Sequence, residues 1–212
     1  RNRKLSAREY PCSQRDHFSN YRVLSVIEHS QGRARWAGDD VCPGHPRCAN
    51  QAVFHSDKYE EGWDAFGDPE ELNKRFQNER PEVHMLLDKI EDWRMWVLCD
   101  REPVKYWSKG KVTLLGDAAH PMLQYLAAGA GMAIEDSVVL SKLLKKNNGD
   151  TANTFKAYEA ARYLRTGRVQ TTARIYGDIY HASGVVGELR SLVLSGRSPT
   201  NYEGVAWLYD GI

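Results

Sequence analysis

Four short stretches of the chain are either continuously apolar or alternate between apolar and polar residues, which predicts β-strands. They are residues 21–28, 51–56, 93–99 and 112–115. Elsewhere apolar residues recur at the spacing of one helical face. Helices are therefore predicted from Pro69, after a capping Asp68, from Pro81, over residues 129–146, and after a cap at Asp150 or Thr151.

The last of these helices is predicted to be long and amphipathic. Its apolar and aromatic positions include Phe155, Tyr158 and Val169. Basic residues fall between them, and a charged stripe of this kind is typical of a solvent-exposed face. The sequence therefore predicts a basic face that carries Lys156, Arg162, Arg165 and Arg168.

The predicted strand at residues 112–115 ends abruptly at Gly116 and Asp117. We expect this strand to be buried, because it is apolar and partly β-branched. A loop of small residues follows, and Gly129 then begins the next helix. Ligands of open α/β sheets lie at the carboxyl ends of strands, and the amides of a helix N-terminus favour anionic or electron-rich groups. The spacing therefore predicts a ligand near Asp117 and Gly129.

Composition excludes several functional classes. The 212 residues are 42% hydrophobic, and 29 basic residues nearly balance 28 acidic ones. This balance gives no electrostatic case for nucleic acid or an anionic membrane, and no apolar run has the length of a membrane helix. Four irregularly spaced cysteines favour a reducing, cytoplasmic location. Although Cys42, His45 and Cys48 lie close together, their spacing is not a zinc pattern, so no metal site is expected.

Two motifs in the second half of the chain carry a family resemblance. Residues 115–121 (LGDAAHP) and 129–136 (GAGMAIED) resemble the second FAD-contacting motif of the single-component flavoprotein aromatic hydroxylases. The sequence from Met122 to Ala127 resembles the corresponding sequence in the branch that contains 3-hydroxybenzoate 6-hydroxylases and salicylate hydroxylases. The resemblance covers roughly residues 51–212. It implies an α/β (α+β) chain that is the C-terminal part of a Rossmann-like FAD-binding monooxygenase fold, with a substrate-domain sheet.

The resemblance also implies which residues contact FAD. Asp117 would accept hydrogen bonds from the ribityl chain, and Pro121 would shape the loop over the flavin ring. Backbone amides near the helix start would face the flavin N1–C2=O edge. The implied cofactor-binding residues are Gly116, Asp117, Pro121, Gly129, Ala130, Gly131 and Met132. Two alternatives stay open, since Asp117 could simply cap the turn and the glycines could simply allow close helix packing.

One residue of the motif is a candidate for the chemistry on the substrate. The resembled branch has a glutamine at the position of Gln124, where it orients the phenol and assists its deprotonation. Tyr125 could line the same pocket or serve packing. For His120 the resemblance implies a structural role in the flavin loop. We assign no catalytic base.

The implied activity is FAD-dependent hydroxylation of a phenolic aromatic acid, with NADH or NADPH and O2 as co-substrates. The resemblance favours 3-hydroxybenzoate giving gentisate, with salicylate next, and such hydroxylases are often homodimers. Proteins of the resembled family begin with a Gly-x-Gly-x-x-Gly fingerprint that binds the FAD pyrophosphate. This chain contains no such fingerprint. We therefore expect the C-terminal part of a longer protein, and a catalytically inactive fragment is the alternative.

Three segments are expected. Residues 51–110 would belong to the substrate-binding domain, and residues 111–212 to the FAD-binding domain with a helical tail. Residues 1–50 lack sustained patterning apart from the strand candidate. Either this segment has diverged from the family, or its reading frame differs.

Overall fold

A computed structural model describes residues 21–27, 49–55, 66–88, 93–198 and 200–210. The described residues divide into two units, with Leu98 the last residue of one and Cys99 the first of the other. We call them the N-terminal unit and the C-terminal unit. The cluster of Cys42, His45 and Cys48 lies outside the described residues.

The N-terminal unit contains an antiparallel sheet of three strands, ordered β2-β1-β3. The strands are β1 (Tyr21–Ile27), β2 (Ala49–His55) and β3 (Arg94–Val97). In the central strand, Val23 pairs with Val53 on one side and with Trp96 on the other. The strands predicted at residues 21–28, 51–56 and 93–99 are thus confirmed, each within a few residues at its ends.

Two short helices complete this unit, α1 (Pro69–Arg75) and α2 (Pro81–Leu87). The predicted cap is confirmed, because the Asp68 carboxylate accepts a hydrogen bond from the Glu70 amide at 2.9 Å. The helices bury Leu72 and Leu87 against residues of the sheet and its edge. The resulting core consists of Phe54, Leu72, Leu87, Trp93 and Met95.

The C-terminal unit begins with a two-stranded hairpin of β4 (Ser108–Lys109) and β5 (Val112–Thr113). The Glu159 carboxylate holds it by accepting hydrogen bonds from the Trp107 and Ser108 amides at 2.7 and 2.6 Å. The prediction of a buried strand over residues 112–115 is wrong. The strand ends at Thr113. Val112 is 64% exposed, because a hairpin of two strands cannot bury both of its faces.

Four helices form the rest of the described C-terminal unit: α3 (Gly129–Lys146), α4 (Thr151–His181), α5 (Gly184–Ser195) and α6 (Ala206–Tyr209). The predicted start of α3 and the Asp150 cap of α4 are confirmed; the Asp150 carboxylate accepts from the Asn153 amide at 3.2 Å. None of the helices in the described ranges has both the length and the apolar character that a membrane crossing needs.

The predicted basic face of α4 is wrong in one important respect. Arg162 has no exposed surface, because the helix is turned so that this side chain enters the unit beside α3. Nearby, Trp107 and Tyr158 form one apolar cluster. A second cluster joins Met132, Val169 and Leu208 from three different helices. Helix α4 therefore carries both a buried charge and much of the core.

Candidate functional site

A tight turn at Gly116 begins the loop that the sequence predicted to lie beside a ligand. Gly116 is buried and has φ of +56°, a conformation that favours glycine. A Cβ at this position would lie 3.1 Å from the Cβ of Ala133 on α3. The turn continues as a 3-10 helix over Gly116–Ala118. Glycine thus allows the loop to lie directly against α3.

The Asp136 carboxylate fixes this loop from inside the protein. Asp136 is completely buried. Its Oδ2 accepts hydrogen bonds from the Gly116 amide at 3.0 Å and from His120 Nε2 at 2.6 Å. Its Oδ1 accepts from Arg162 Nε at 2.6 Å. One side chain of α3 therefore ties together both ends of the turn and helix α4.

The charges around Asp136 determine its protonation. Burial alone would raise the pKa of the Asp136 carboxyl, but hydrogen bonds from His120 and Arg162 outweigh burial and lower it. The pKa of Glu135 is lowered in the same way, since burial is outweighed by hydrogen bonds from Arg165 and Arg162. Both carboxylates are therefore ionised at neutral pH.

A second ion pair extends this network to the last described helix. Glu135 accepts hydrogen bonds from Arg162 at 2.7 Å and from Arg165 at 2.6 and 2.5 Å. Arg165 also donates to the backbone carbonyls of Trp207 and Leu208, at 3.0 and 3.2 Å. Helix α6 is thus connected to the same buried network as the loop.

Backbone carbonyls of the loop are engaged by two further side chains. Arg101 Nη2 donates to Ala118 O at 3.2 Å and to Ala119 O at 2.6 Å. Gln170 Nε2, on α4, donates to Pro121 O at 2.9 Å and to Arg101 O at 3.0 Å. The carbonyls of Ala118, Ala119 and Pro121 therefore accept hydrogen bonds from protein donors.

Asp117 and the start of α3 differ from these carbonyls, because their polar groups are not capped by side chains of the described residues. Asp117 is exposed, and its Oδ1 lies 3.9 Å from where a Cβ of Gly129 would be. No side chain caps α3 among the described residues, so the amides of its first turn have no capping partner. A Cβ at Gly131 would meet no atom within 4 Å. A carboxylate, free amides and open space thus lie together.

The remaining predicted residues have distinct surroundings. The side chain of Met132 is buried in the core, and its amide donates to Ala128 O at 2.9 Å. Gln124 is half-buried and begins a second 3-10 turn, Gln124–Leu126. The hydroxyl of Tyr125 lies 3.1 Å from His181 Nε2, which supports a packing role. His120 is 1% exposed, in agreement with the structural role expected for it.

Sequence reasoning missed the residues that hold the loop in place. The sequence pattern assigns no role to Arg101, Asp136 and Gln170, and it predicts that Arg162 lies on a polar face. The acidic pair Glu135-Asp136 lies inside a helix that is otherwise mostly apolar, and that position was the available signal. Charged residues are rarely fully buried unless paired, so an acidic pair on such a helix predicts basic partners.

The buried carboxylate gives a pH-dependent prediction. Asp136→Asn should lower the free energy of unfolding by about 3 kcal/mol or more at pH 7, because Arg162 loses a buried partner. The folded-state pKa of Asp136 is depressed, so its contribution is complete above the unfolded value of about 4. That contribution is lost as the pH falls through the folded value, and the difference between variant and wild type should shrink there. Urea unfolding from pH 7 to pH 3 measures this.

The exposed Asp178 on helix α4 provides the control. Asp178→Asn should change the free energy of unfolding by less than about 0.5 kcal/mol at every pH. A difference between Asp136→Asn and wild type that stays constant down to pH 3 would contradict the assignment.

Comparison with known proteins gives a family match and several relatives. A family described as "FAD binding domain" matches residues 7–173. The match includes most of the first fifty residues. A 3-hydroxybenzoate 6-hydroxylase of Klebsiella oxytoca is 43% identical over 158 residues, which are 74% of this chain and 40% of that protein. The 3-hydroxybenzoate 6-hydroxylase 2 of Aquipseudomonas alcaligenes is 38% identical over 203 residues, covering 89% of this chain and 63% of the relative.

Solved structures agree at the level of the fold. A salicylate hydroxylase in a substrate complex has a TM-score of 0.63 and 21% identity, over 85% of this chain and 53% of the other. A variant of HpxO from Klebsiella pneumoniae, complexed with FAD, has a TM-score of 0.67 and 21% identity, over 92% and 55%. These likenesses confirm the expected α/β fold class. With residues 7–173 matched, the chain belongs to the FAD-binding-domain family.

Proposed function

We propose that the C-terminal unit binds the flavin end of FAD at Asp117 and the start of α3. The observation that carries this proposal is the exposed carboxylate of Asp117 beside the uncapped, glycine-rich start of α3. Asp117 would accept hydrogen bonds from ribityl hydroxyls, and a bond to a charged acceptor is relatively strong. The family match supports the same cofactor.

The residues at the start of α3 suit the electron-rich edge of a flavin. Amides of Gly129, Ala130 and Gly131 are not used by the first helical turn and are available to an acceptor. The positive end of the helix dipole favours negative charge there. Met132 would support this site only indirectly, because its amide already donates to Ala128 O and its buried side chain packs in the core.

The loop that follows Asp117 would lie between flavin and substrate. Gly116 sets its turn, and Pro121 stiffens it while its carbonyl accepts from Gln170. Gln124 would orient the phenol of the substrate and assist its deprotonation. Gln124 is half-buried, so part of its surface is accessible to a small molecule.

For the whole protein, we propose hydroxylation of a phenolic aromatic acid. An aromatic C–H group of the substrate, O2, NADH or NADPH, and one proton would react. The products would be the ring C–OH group, water and the oxidised nucleotide. Bound FAD supplies the redox chemistry, while the protein orients the substrate and excludes water. The names of the relatives favour 3-hydroxybenzoate, giving gentisate by 6-hydroxylation. Salicylate is the second candidate, and an inactive fragment the alternative.

Three further expectations belong to this proposal. The chain spans 40% of the length of the first relative, so an intact enzyme would draw on residues beyond this sequence. Residues 51–110 would belong to its substrate-binding domain and residues 111–212 to its FAD-binding domain. We also propose a cytoplasmic homodimer whose partners are an aromatic acid and O2.

Titration with FAD tests the cofactor site. Asp117→Ala should raise the FAD dissociation constant at least ~10-fold, because a hydrogen bond to a charged group contributes about 1.5–3 kcal/mol. Asp178→Ala removes an exposed aspartate from α4 and should leave the constant within about 2-fold. Flavin fluorescence measures both. Equal affinities of wild type and Asp117→Ala would contradict the assigned site.

Substrate turnover tests the role of Gln124. NADH or NADPH consumption is measured with 3-hydroxybenzoate and with salicylate, and the products are identified. Gln124→Ala should lower kcat/KM for the phenolic acid at least ~10-fold, since one well-placed hydrogen bond is lost. Gln77→Ala, at an exposed position, should change it little. A wild-type chain that binds FAD but oxidises no nucleotide with any aromatic acid would favour the inactive fragment.

A further inference from the structure

Tyr125 fills a slot on helix α4 that exists because residue 177 is glycine. A Cβ at Gly177 would lie 2.6 Å from Tyr125 Cε2 and 2.9 Å from its Cδ2. Real Cβ atoms essentially never approach other atoms so closely. The ring of Tyr125 therefore lies directly on the backbone of α4.

The ring is also held on its sides and at its tip. Its hydroxyl lies 3.1 Å from Nε2 of His181, the last residue of α4. The rings of Tyr180 and His181 contact it edge to face, with centroids 6.0 and 5.6 Å away. Edge-to-face contacts of this kind stabilise a pair of aromatic rings. Tyr125 cannot move aside for a larger residue at position 177 without losing them.

The turn that carries Tyr125 also carries Gln124. Gln124–Leu126 is a 3-10 helix, in which successive side chains diverge by about 120°. Tyr125 is directed to the end of α4, and Leu126 packs against the cluster of Met132, Val169 and Leu208. Because packing fixes two of the three directions, the Cα–Cβ bond of the third residue, Gln124, has its direction fixed as well.

We propose that Tyr125 is a positioning residue that determines where the Gln124 amide meets the aromatic substrate. The inference rests on the proposed function, because it assumes that Gln124 contacts the phenol. Tyr125 itself does not touch the substrate in this account. It acts by fixing the turn, which the Ala127 amide closes by donating to Gln124 O at 2.8 Å.

Two variants separate the parts of this anchor. Tyr125→Phe removes the hydroxyl near His181 and keeps the ring, whereas Gly177→Ala displaces the ring from its slot. The controls are Tyr202→Phe, at a side chain 66% exposed, and Gly204→Ala, where a Cβ would meet nothing within 4 Å. All four variants keep every residue proposed to contact FAD.

The first readout needs no ligand. Hydrogen exchange of the Ala127 amide reports whether the turn is closed, and Gly177→Ala should accelerate it about 10-fold or more, a loss of about 1.4 kcal/mol. Tyr125→Phe should have a smaller effect in the same direction, and both controls should match wild type. Unchanged exchange in Gly177→Ala would show that the ring does not anchor the turn, which overturns the proposal.

The second readout uses the FAD-loaded chain. Gly177→Ala should raise the dissociation constant of 3-hydroxybenzoate about 10-fold and lower the yield of hydroxylated product per NADH consumed. The FAD dissociation constant should stay within about 2-fold, a separation that a general loss of stability would not produce. This inference is overturned if Gly177→Ala binds 3-hydroxybenzoate as tightly as wild type does. It is also overturned if the FAD-loaded wild type does not bind the aromatic acid. Failure of wild type to bind FAD overturns the proposed function instead.

Discussion

The fully buried carboxylate of Asp136 is the constraint on which the candidate site depends. An unpaired buried charge costs several kcal/mol, so Asp136 must be surrounded by donors. Those donors are the Gly116 amide, His120 and Arg162, from the turn, the loop and helix α4. Satisfying one charge thereby brings three separate parts of the C-terminal unit together. The arrangement is specific, because each donor must lie within hydrogen-bonding distance of one carboxylate.

The loop that results has two different sides. On one side its carbonyls accept from Arg101 and Gln170, and its first amide donates to Asp136. On the other side Asp117 is exposed beside the uncapped start of α3. The protein satisfies the loop's own polar groups on the inside, which leaves a carboxylate and free amides to a ligand on the outside.

The sequence predicted the features that depend on nearby residues. Asp68 caps the helix that begins at Pro69, and Asp150 caps the helix that begins at Thr151, because capping chemistry is local. It did not reveal the long-range partners: Asp136 bonds to a residue 26 positions away in Arg162. The sequence pattern placed Arg162 on a solvated face, because the periodicity of apolar and polar residues does not reveal a buried ion pair. The apolar run at residues 112–115 failed similarly, since burial of a strand depends on neighbours that the run itself does not specify.

Amide hydrogen exchange at Gly116 tests most directly whether Asp136 holds the loop that begins at this residue. The account predicts that this amide, although it lies in a loop, is protected to a degree comparable with amides inside α3, because a buried carboxylate binds it. In Asp136→Asn the protection of the Gly116 amide should fall by a larger factor than the protection of amides within α3. A Gly116 amide that exchanges in wild type as fast as an exposed loop amide would contradict the central claim.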